Sequence, residues 1–356
     1  RGGGAVVIAA GGQGTRLGVE QPKGLFPCGP VSGKTLFEWL AGKVLHWSRR
    51  LARPLPLVVM VSEATAAETR AAFESADWYG LDPAHVHMPC QGAYAPVDER
   101  GRLLLERPDR IAVSPNGHGG VYAALAADGL LDRLRGDGVT TLSYVQVDNP
   151  LVLPVDPVFL GLHADAGSLI SSKSVAKTAP GERVGVFARK AGRPAVVEYS
   201  ELSAEQAEAR DARGRLVYGQ GSIAAHVLDA EFAARMAGTR LPVHRARKIV
   251  PHVDAAGRPV DPPQPNATKF ETFLFDAIPL ADRALVVETR REDEFSPIKN
   301  ATGADSPETC RRDLVALHRR WHERAGVAAP AGDVEVDPVL APDEAAFLEL
   351  QRTVRP

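Results

Sequence analysis

The chain has 356 residues, 24% of them charged, and a formal net charge of −2. That length holds one large α/β domain or two ordinary ones, while the near-neutral balance gives no global attraction to nucleic acid or to a membrane, so an anionic ligand has to be held by local charge. Three cysteines, Cys28, Cys90 and Cys310, lie far apart without Cys-x-x-Cys spacing, which excludes a disulfide framework or a zinc site and points to a reducing, cytoplasmic setting.

No apolar run approaches a membrane span, and no signal peptide precedes the first strand. The sequence starts at Arg1 rather than Met, which leaves room for upstream residues. Only nine of the 42 basic residues are lysines, so a lysine inside a motif is a candidate point charge for phosphate; elsewhere it reads as a solvated surface residue.

Residues 5–10 are an apolar run with the length of a buried strand. The run breaks at Gly11, Gly12 and Gly14 and is followed by Arg16 and Lys23. Glycine N–H groups at a strand end can lie directly against a nucleotide, with Arg16 and Lys23 supplying positive charge. The same spacing also occurs in plain tight turns. It does not fit a dinucleotide fingerprint, because the third glycine position falls on Leu17. Gly33, Lys34 and Thr35 look like the end of a P-loop. Cys28 stands where that motif needs glycine, however, and no apolar strand precedes it. A P-loop phosphotransferase using Lys34 is nevertheless a distinct alternative.

Thr35 and Glu38 have capping-box spacing, and apolar residues from Leu36 to Trp47 continue at helical spacing. Residues 55–61 predict a second buried strand and 62–76 a helix. This order implies a mainly parallel sheet, with ligands at the carboxyl ends of its strands. A short strand at 85–88 leads to Gln91, whose amide can donate and accept as reading a uracil edge requires, although a strand-end glutamine is commonly an ordinary surface residue. Residues 98–101 predict a hairpin turn. Residues 114–120, SPNGHGG, form a second glycine-rich loop before a helix at 121–127, and two such loops could pack on both faces of a base and ribose.

Residues 142–147 predict a buried strand with Asp148 at its end. A carboxylate there can hold magnesium shared with substrate phosphates, or can simply cap the next segment. Residues 184–187 and 195–200 read as paired strands. Glu198 among them suits sugar hydroxyls or, equally, a strand edge. Phe273 and Phe275 alternate onto one face, which usually means core packing and less often the lining of a sugar pocket. Residues 291–300 read as an ordered loop and 306–325 as a long helix, followed by a strand at 334–336 and a helix at 343–353.

Taken in order, GGQGTRLG, QPKG, CQG, PNGHGGVYAAL, VDN, VGVFAR, VVEYSE, KFETFLFD and REDEFSPIKN resemble the UDP-sugar pyrophosphorylase family, in particular its UDP-N-acetylglucosamine branch. The resemblance implies a mixed, mainly parallel sheet flanked by helices, of the glycosyltransferase-A-like nucleotidyltransferase kind. Residues 1–300 would be the catalytic domain and 301–356 a small helix-rich C-terminal segment. It implies a uridylyltransferase acting with Mg2+ on UTP and a sugar 1-phosphate to give a UDP-sugar and pyrophosphate. No nucleic-acid or membrane partner is expected, and the chain is expected to act as a monomer.

By position, Gly11 and Gly12 would cradle uridine, and Gln91 and Gly117 would read uracil. Arg16, Lys23, Lys269 and Lys299 would serve phosphate, and Asp148 would bind the metal. Gly185 and Glu198 would contact the sugar, and Phe273 and Phe275 would face its 2-substituent. Two positions depart from the branch: His118 stands where it has asparagine near the acetamido group, and Ser222 where it has an asparagine for sugar hydroxyls. N-acetylglucosamine 1-phosphate is preferred as substrate, with glucose 1-phosphate or another hexose phosphate as the alternative. A non-catalytic UDP-sugar-binding protein is the reading of another class. Relatives usually carry a segment before the first strand that is absent from this sequence.

Overall fold

The apolar runs become the strands of one sheet. The structure, a computed structural model, describes residues 3–354. The strands that matter for the site are β1 (Gly3–Ala9), β2 (Leu57–Met60), β3 (Val86–His87), β4 (Val97–Asp98), β5 (Val139–Gln146), β6 (Ile170–Ala176), β7 (Val186–Lys190), β8 (Arg193–Val197), β9 (Gln220–Asp229), β10 (His244–Lys248), β11 (Ala267–Glu271) and β12 (Ala284–Glu288). Nine of them form the central sheet in the order β8-β7-β9-β5-β1-β2-β3, with β6 on β9 and β12 on β6; β10, β11 and β4 make a small second sheet.

β1 runs parallel to β2 and to β5, pairing Val6 with Leu57 on one side and with Ser143 on the other. The chain leaves β1 for β2 in one direction and returns through β5 in the other, so the crevice at the carboxyl end of β1 is a topological switch point, where ligands of open α/β sheets bind. In the far half β9 opposes β5, β6 and β7, while β12 runs parallel to β6. The fold is thus mixed α/β, parallel through its centre.

Helix α1 (Leu36–Arg50) starts at the expected capping box, with Thr35 accepting from Glu38 N–H and Glu38 from Thr35 N–H. Its apolar face buries Leu36, Phe37, Trp39, Leu40 and Val44 against β1 and β2. α2 (Ala66–Ser75) and α3 (Val121–Ala126) follow β2 and the second glycine loop. α4 (Pro307–Ala325) is the expected long helix, capped by Ser306, and α5 (Glu344–Val354) closes the described chain. Leu314, Leu317, Trp321 and Phe347 from these last two helices share one hydrophobic cluster with β1 and α1.

Residues 334–336 are not the strand the sequence predicts. Val334 and Val336 are buried, but no strand edge lies beside them. The segment is instead held by side chains, with Val336 N–H donating to His318 Nδ1 at 3.4 Å and Glu335 accepting from the N–H groups of Val31 and Ser32. No helix among the described residues is long and apolar enough to cross a membrane.

Candidate active site

The glycine loop after β1 folds back on itself. Gly14 N–H donates to Gln21 O at 3.0 Å and Lys23 N–H to Gly12 O at 3.1 Å, which lays the QPKG segment against the GGQG turn and delivers Lys23 to the strand ends. Lys23 Nζ donates there to Asp148 Oδ2 at 3.2 Å, both side chains being largely buried. Burial pushes the Asp148 carboxyl up, but the charges of Lys23, Lys299 and Arg16 together outweigh it and hold the group below the ordinary carboxylate range. Of the four cations expected to serve phosphate, Lys23 contacts this carboxylate at the end of β5, and Lys299 and Arg16 act on it through their charge.

Lys299 reaches this cluster because its segment is fastened to the loop after β5. Ile298 N–H donates to Asp148 O at 2.8 Å, Asn149 Nδ2 to Glu294 O at 2.7 Å, and Ser296 N–H to Asn149 Oδ1 at 3.2 Å. The Lys299 ammonium lies 5.5 Å from the centre of the Phe295 ring, within cation–π range. The segment 291–300 is ordered as expected, with a short helix at Arg291–Glu294.

Two buried lysines that the motifs do not flag hold up this floor. Lys43 of α1 donates to the carbonyls of Pro150, Leu151 and Val152 at 2.8, 3.3 and 2.8 Å; burial pushes its pKa down to about 7, against the pull of Glu294. Lys173 of β6 pairs with Asp156 at 2.5 Å and with Glu294, and Glu294 also accepts from Thr289 Oγ1 at 2.6 Å. The available signal for Lys43 was a lone lysine inside the apolar stretch LAGKVL; Lys173, among the serines of LISSKSV, carried none. A lysine so placed has to find buried acceptors.

On the base side, Gln91 follows β3 and donates its N–H to Val61 O at 2.8 Å. Its carboxamide lies so close to Gly11 that a Cβ there would stand 2.5 Å from Oε1, while Gly12 is exposed with nothing within 4 Å of a Cβ. The second glycine loop is stitched to the segment after Gln91 and to the end of β11: Asn116 N–H donates to Gly92 O at 3.0 Å, Thr272 N–H to Asn116 O at 2.8 Å, and Gly119 N–H to Thr272 O at 2.8 Å. Gly117 has φ +84°, and a Cβ on it would meet Thr272 O at 2.4 Å, so only glycine fits at that position.

On the other side, Ser222 N–H donates to Gly185 O at 2.7 Å, and Glu198 Oε1 lies 3.3 Å from where a Cβ on Gly185 would sit. Burial raises the Glu198 carboxyl, with Glu201 adding to the effect and His244 and Lys299 opposing it. His118 Nδ1 accepts from Leu274 N–H at 3.1 Å, which leaves the proton of the neutral ring on Nε2. Burial, helped by His244, holds this imidazole down to about 4, so it is neutral at physiological pH. Its ring stacks on Phe273 at 5.1 Å and meets Phe275 edge-on at 5.4 Å. Gly185, Glu198 and Ser222 thus form one wall and His118, Phe273 and Phe275 another.

Lys269 stands apart from the Asp148 cluster. It lies on β11 of the small sheet; burial lowers its pKa, and its charged neighbours are Glu271 and Lys248. Lys34 is also elsewhere, paired with Asp337 near the C-terminal helices. A glycine loop, the Gln91 amide against Gly11 and a lysine–carboxylate cluster thus meet at the switch point of a mixed α/β sheet.

The family model of UTP–glucose-1-phosphate uridylyltransferases matches residues 4–332, and the chain belongs to that family. It is 41% identical over 333 residues to the human UDP-N-acetylhexosamine pyrophosphorylase-like protein 1, covering 90% of this chain and 66% of that protein. It is 37% identical over 361 residues to UDP-N-acetylglucosamine diphosphorylase 1 of Arabidopsis thaliana, covering 94% and 70%. The solved UDP-N-acetylglucosamine pyrophosphorylase of Trypanosoma brucei, in complex with an inhibitor, superposes with a TM-score of 0.85 at 29% identity, over all of this chain and 78% of that one. The chain therefore spans slightly less than two thirds of the length of the human relative.

Proposed function

We propose that this chain is a uridylyltransferase that joins UTP to a sugar 1-phosphate, with N-acetylglucosamine 1-phosphate preferred, and releases pyrophosphate. The observation that carries this reading is the joint action of the Lys23, Lys299 and Arg16 charges on Asp148, beside the Gly11–Gln91 contact. The pyrophosphorylases named among its relatives support it. A phosphate monoester has a second pKa of about 6, so the attacking sugar phosphate is already ionised at neutral pH and needs no general base. An oxygen of that phosphate attacks the α-phosphorus of UTP in line, a new P–O bond forms, and the bond to the pyrophosphate leaving group breaks.

This chain's task is to align two anions and screen their repulsion. Lys23, Arg16 and Lys299 supply charge where the phosphates meet, and Gln91 and Gly117 fix the base. Asp148 is a hard oxygen donor, and no group of three His, Cys, Asp or Glu side chains among the described residues could hold a metal by itself. That donor set fits magnesium, which takes one or two carboxylates and fills its shell with phosphate oxygens and water. When bound, the ion would neutralise charge developing on the phosphates. The three free cysteines suit a reducing cytoplasm.

The second reading, glucose 1-phosphate as substrate, is favoured by His118: its Nε2–H can donate to a sugar hydroxyl, but the ring offers no acceptor for an acetamido N–H. Pyrophosphate release from UTP with each sugar phosphate decides between them. Calorimetry that finds a UDP-sugar bound tightly by protein with no turnover would favour a binding protein instead.

A further inference from the structure

Between the two walls of the sugar side stands a histidine that no motif marks. His244 begins β10 opposite Glu271 of β11. Its Nδ1 lies 2.6 Å from Glu201 Oε1 and its Nε2 3.0 Å from Asp276 Oδ2. Both partners are carboxylates, and a protonated ring donates to both at once. We propose that His244 is a positioning residue that clamps the two walls of the sugar site at a fixed spacing; this rests on the uridylyltransferase reading.

Each carboxylate hands the constraint to a different wall. Glu201 N–H donates to Glu198 O at 2.9 Å, so the turn that ends at Glu201 is the one that starts at Glu198. Asp276 Oδ2 also accepts from Phe273 N–H at 3.2 Å. The His244 ring lies 4.5 Å from the Phe273 ring, which in turn stacks on His118. A single cation therefore ties the turn that carries Glu198 on one wall to the Phe273–His118 stack on the other. Without it, Glu201 and Asp276 repel one another and Glu198, and the pocket for the 2-substituent loses its fixed width.

The titratable groups that feel this charge are Glu201, Asp276, Glu198 and His118. Burial alone would lower the His244 pKa, but the two carboxylates outweigh it and raise it above the ordinary histidine value. The clamp is intact below that raised pKa and is released as pH rises through it.

The test is calorimetry on the full chain with UDP-N-acetylglucosamine and with UMP, at pH values from about 6 to about 8.5. The UDP-sugar carries a diphosphate diester, which has no proton to lose in that range. His244→Phe keeps a ring against Phe273 and removes both hydrogen bonds. It should weaken the UDP-sugar about tenfold and UMP less than about twofold. Wild-type affinity for the UDP-sugar should fall with rising pH, and the variant should be flat. Glu201→Gln, on a half-exposed side chain, should give about a threefold selective loss without disturbing the fold. Equal losses for both ligands, or none for either, overturn the clamp. Wild-type protein that binds neither ligand overturns the functional reading along with it.

Discussion

The Lys23 ammonium meets the Asp148 carboxylate at 3.2 Å across 125 residues of chain, joining the first glycine loop to the end of β5. In the proposed reaction the lysine turns to phosphate and the carboxylate to magnesium. Lys23→Met should therefore cut the rate of pyrophosphate release by about 10²–10³ with little change in folding, the loss expected for one preorganised charge at a reacting group. Asp148→Asn should raise the magnesium concentration needed for half-maximal rate. Initial rates measured against magnesium check both.

Lys43 and Lys34 make a contrasting pair. Lys43→Met leaves the carbonyls of Pro150, Leu151 and Val152 without their donor and should cost about 2–4 kcal/mol in urea unfolding. It should also lower turnover by loosening the loop behind Asp148. Lys34 pairs with the half-exposed Asp337. Lys34→Ala should leave activity within about twofold, since exposed pairs contribute little, whereas a P-loop enzyme would lose its activity.

Much of the site was legible because its signals are local. The capping box at Thr35, the glycine loops and the strand ending at Asp148 all depend on near neighbours in sequence. β6 did not read as a strand, because Ser171, Ser172, Lys173 and Ser174 are polar. Their polar groups find partners only once His163, His226, Asp156 and Glu294 arrive, from 8 to 121 residues away along the chain. Lys43 and His244 escaped because their partners lie far along the chain, 32 and 43 residues away for His244 and at least 107 for Lys43 Nζ. The motif that suggested a phosphate role for Lys269 says nothing of β11, the small-sheet strand that carries it beside Glu271 and Lys248.

Acid should unfold the protein through its buried histidines. Burial holds His118 down to about 4, and His226 and His318 down to about 3. Their unfolded values lie near 6.5, so below that pH the unfolded chain binds protons that the folded one refuses. Stability is then full above about pH 6.5 and falls as pH drops towards 3. Melting temperature followed across that range should decline steadily, and His318→Leu should flatten the decline.

The two departures in the sugar pocket should be separable. His118→Asn supplies an amide that can accept from Leu274 N–H and still donate, and it should raise the preference for the acetamido sugar over glucose 1-phosphate. Ser222→Asn lengthens the side chain beside Gly185 and should lower KM for the sugar phosphate without changing KM for UTP. Each shift should stay below about 200-fold, the range that one pocket contact commands. Steady-state kinetics with both sugars measure it.

The central claim is tested most directly by pyrophosphate release from UTP with a panel of sugar 1-phosphates in the presence of magnesium. The account predicts turnover that is greatest with N-acetylglucosamine 1-phosphate and is lost when UTP is replaced by another nucleotide. Folded protein that releases no pyrophosphate with any sugar on the panel would contradict it.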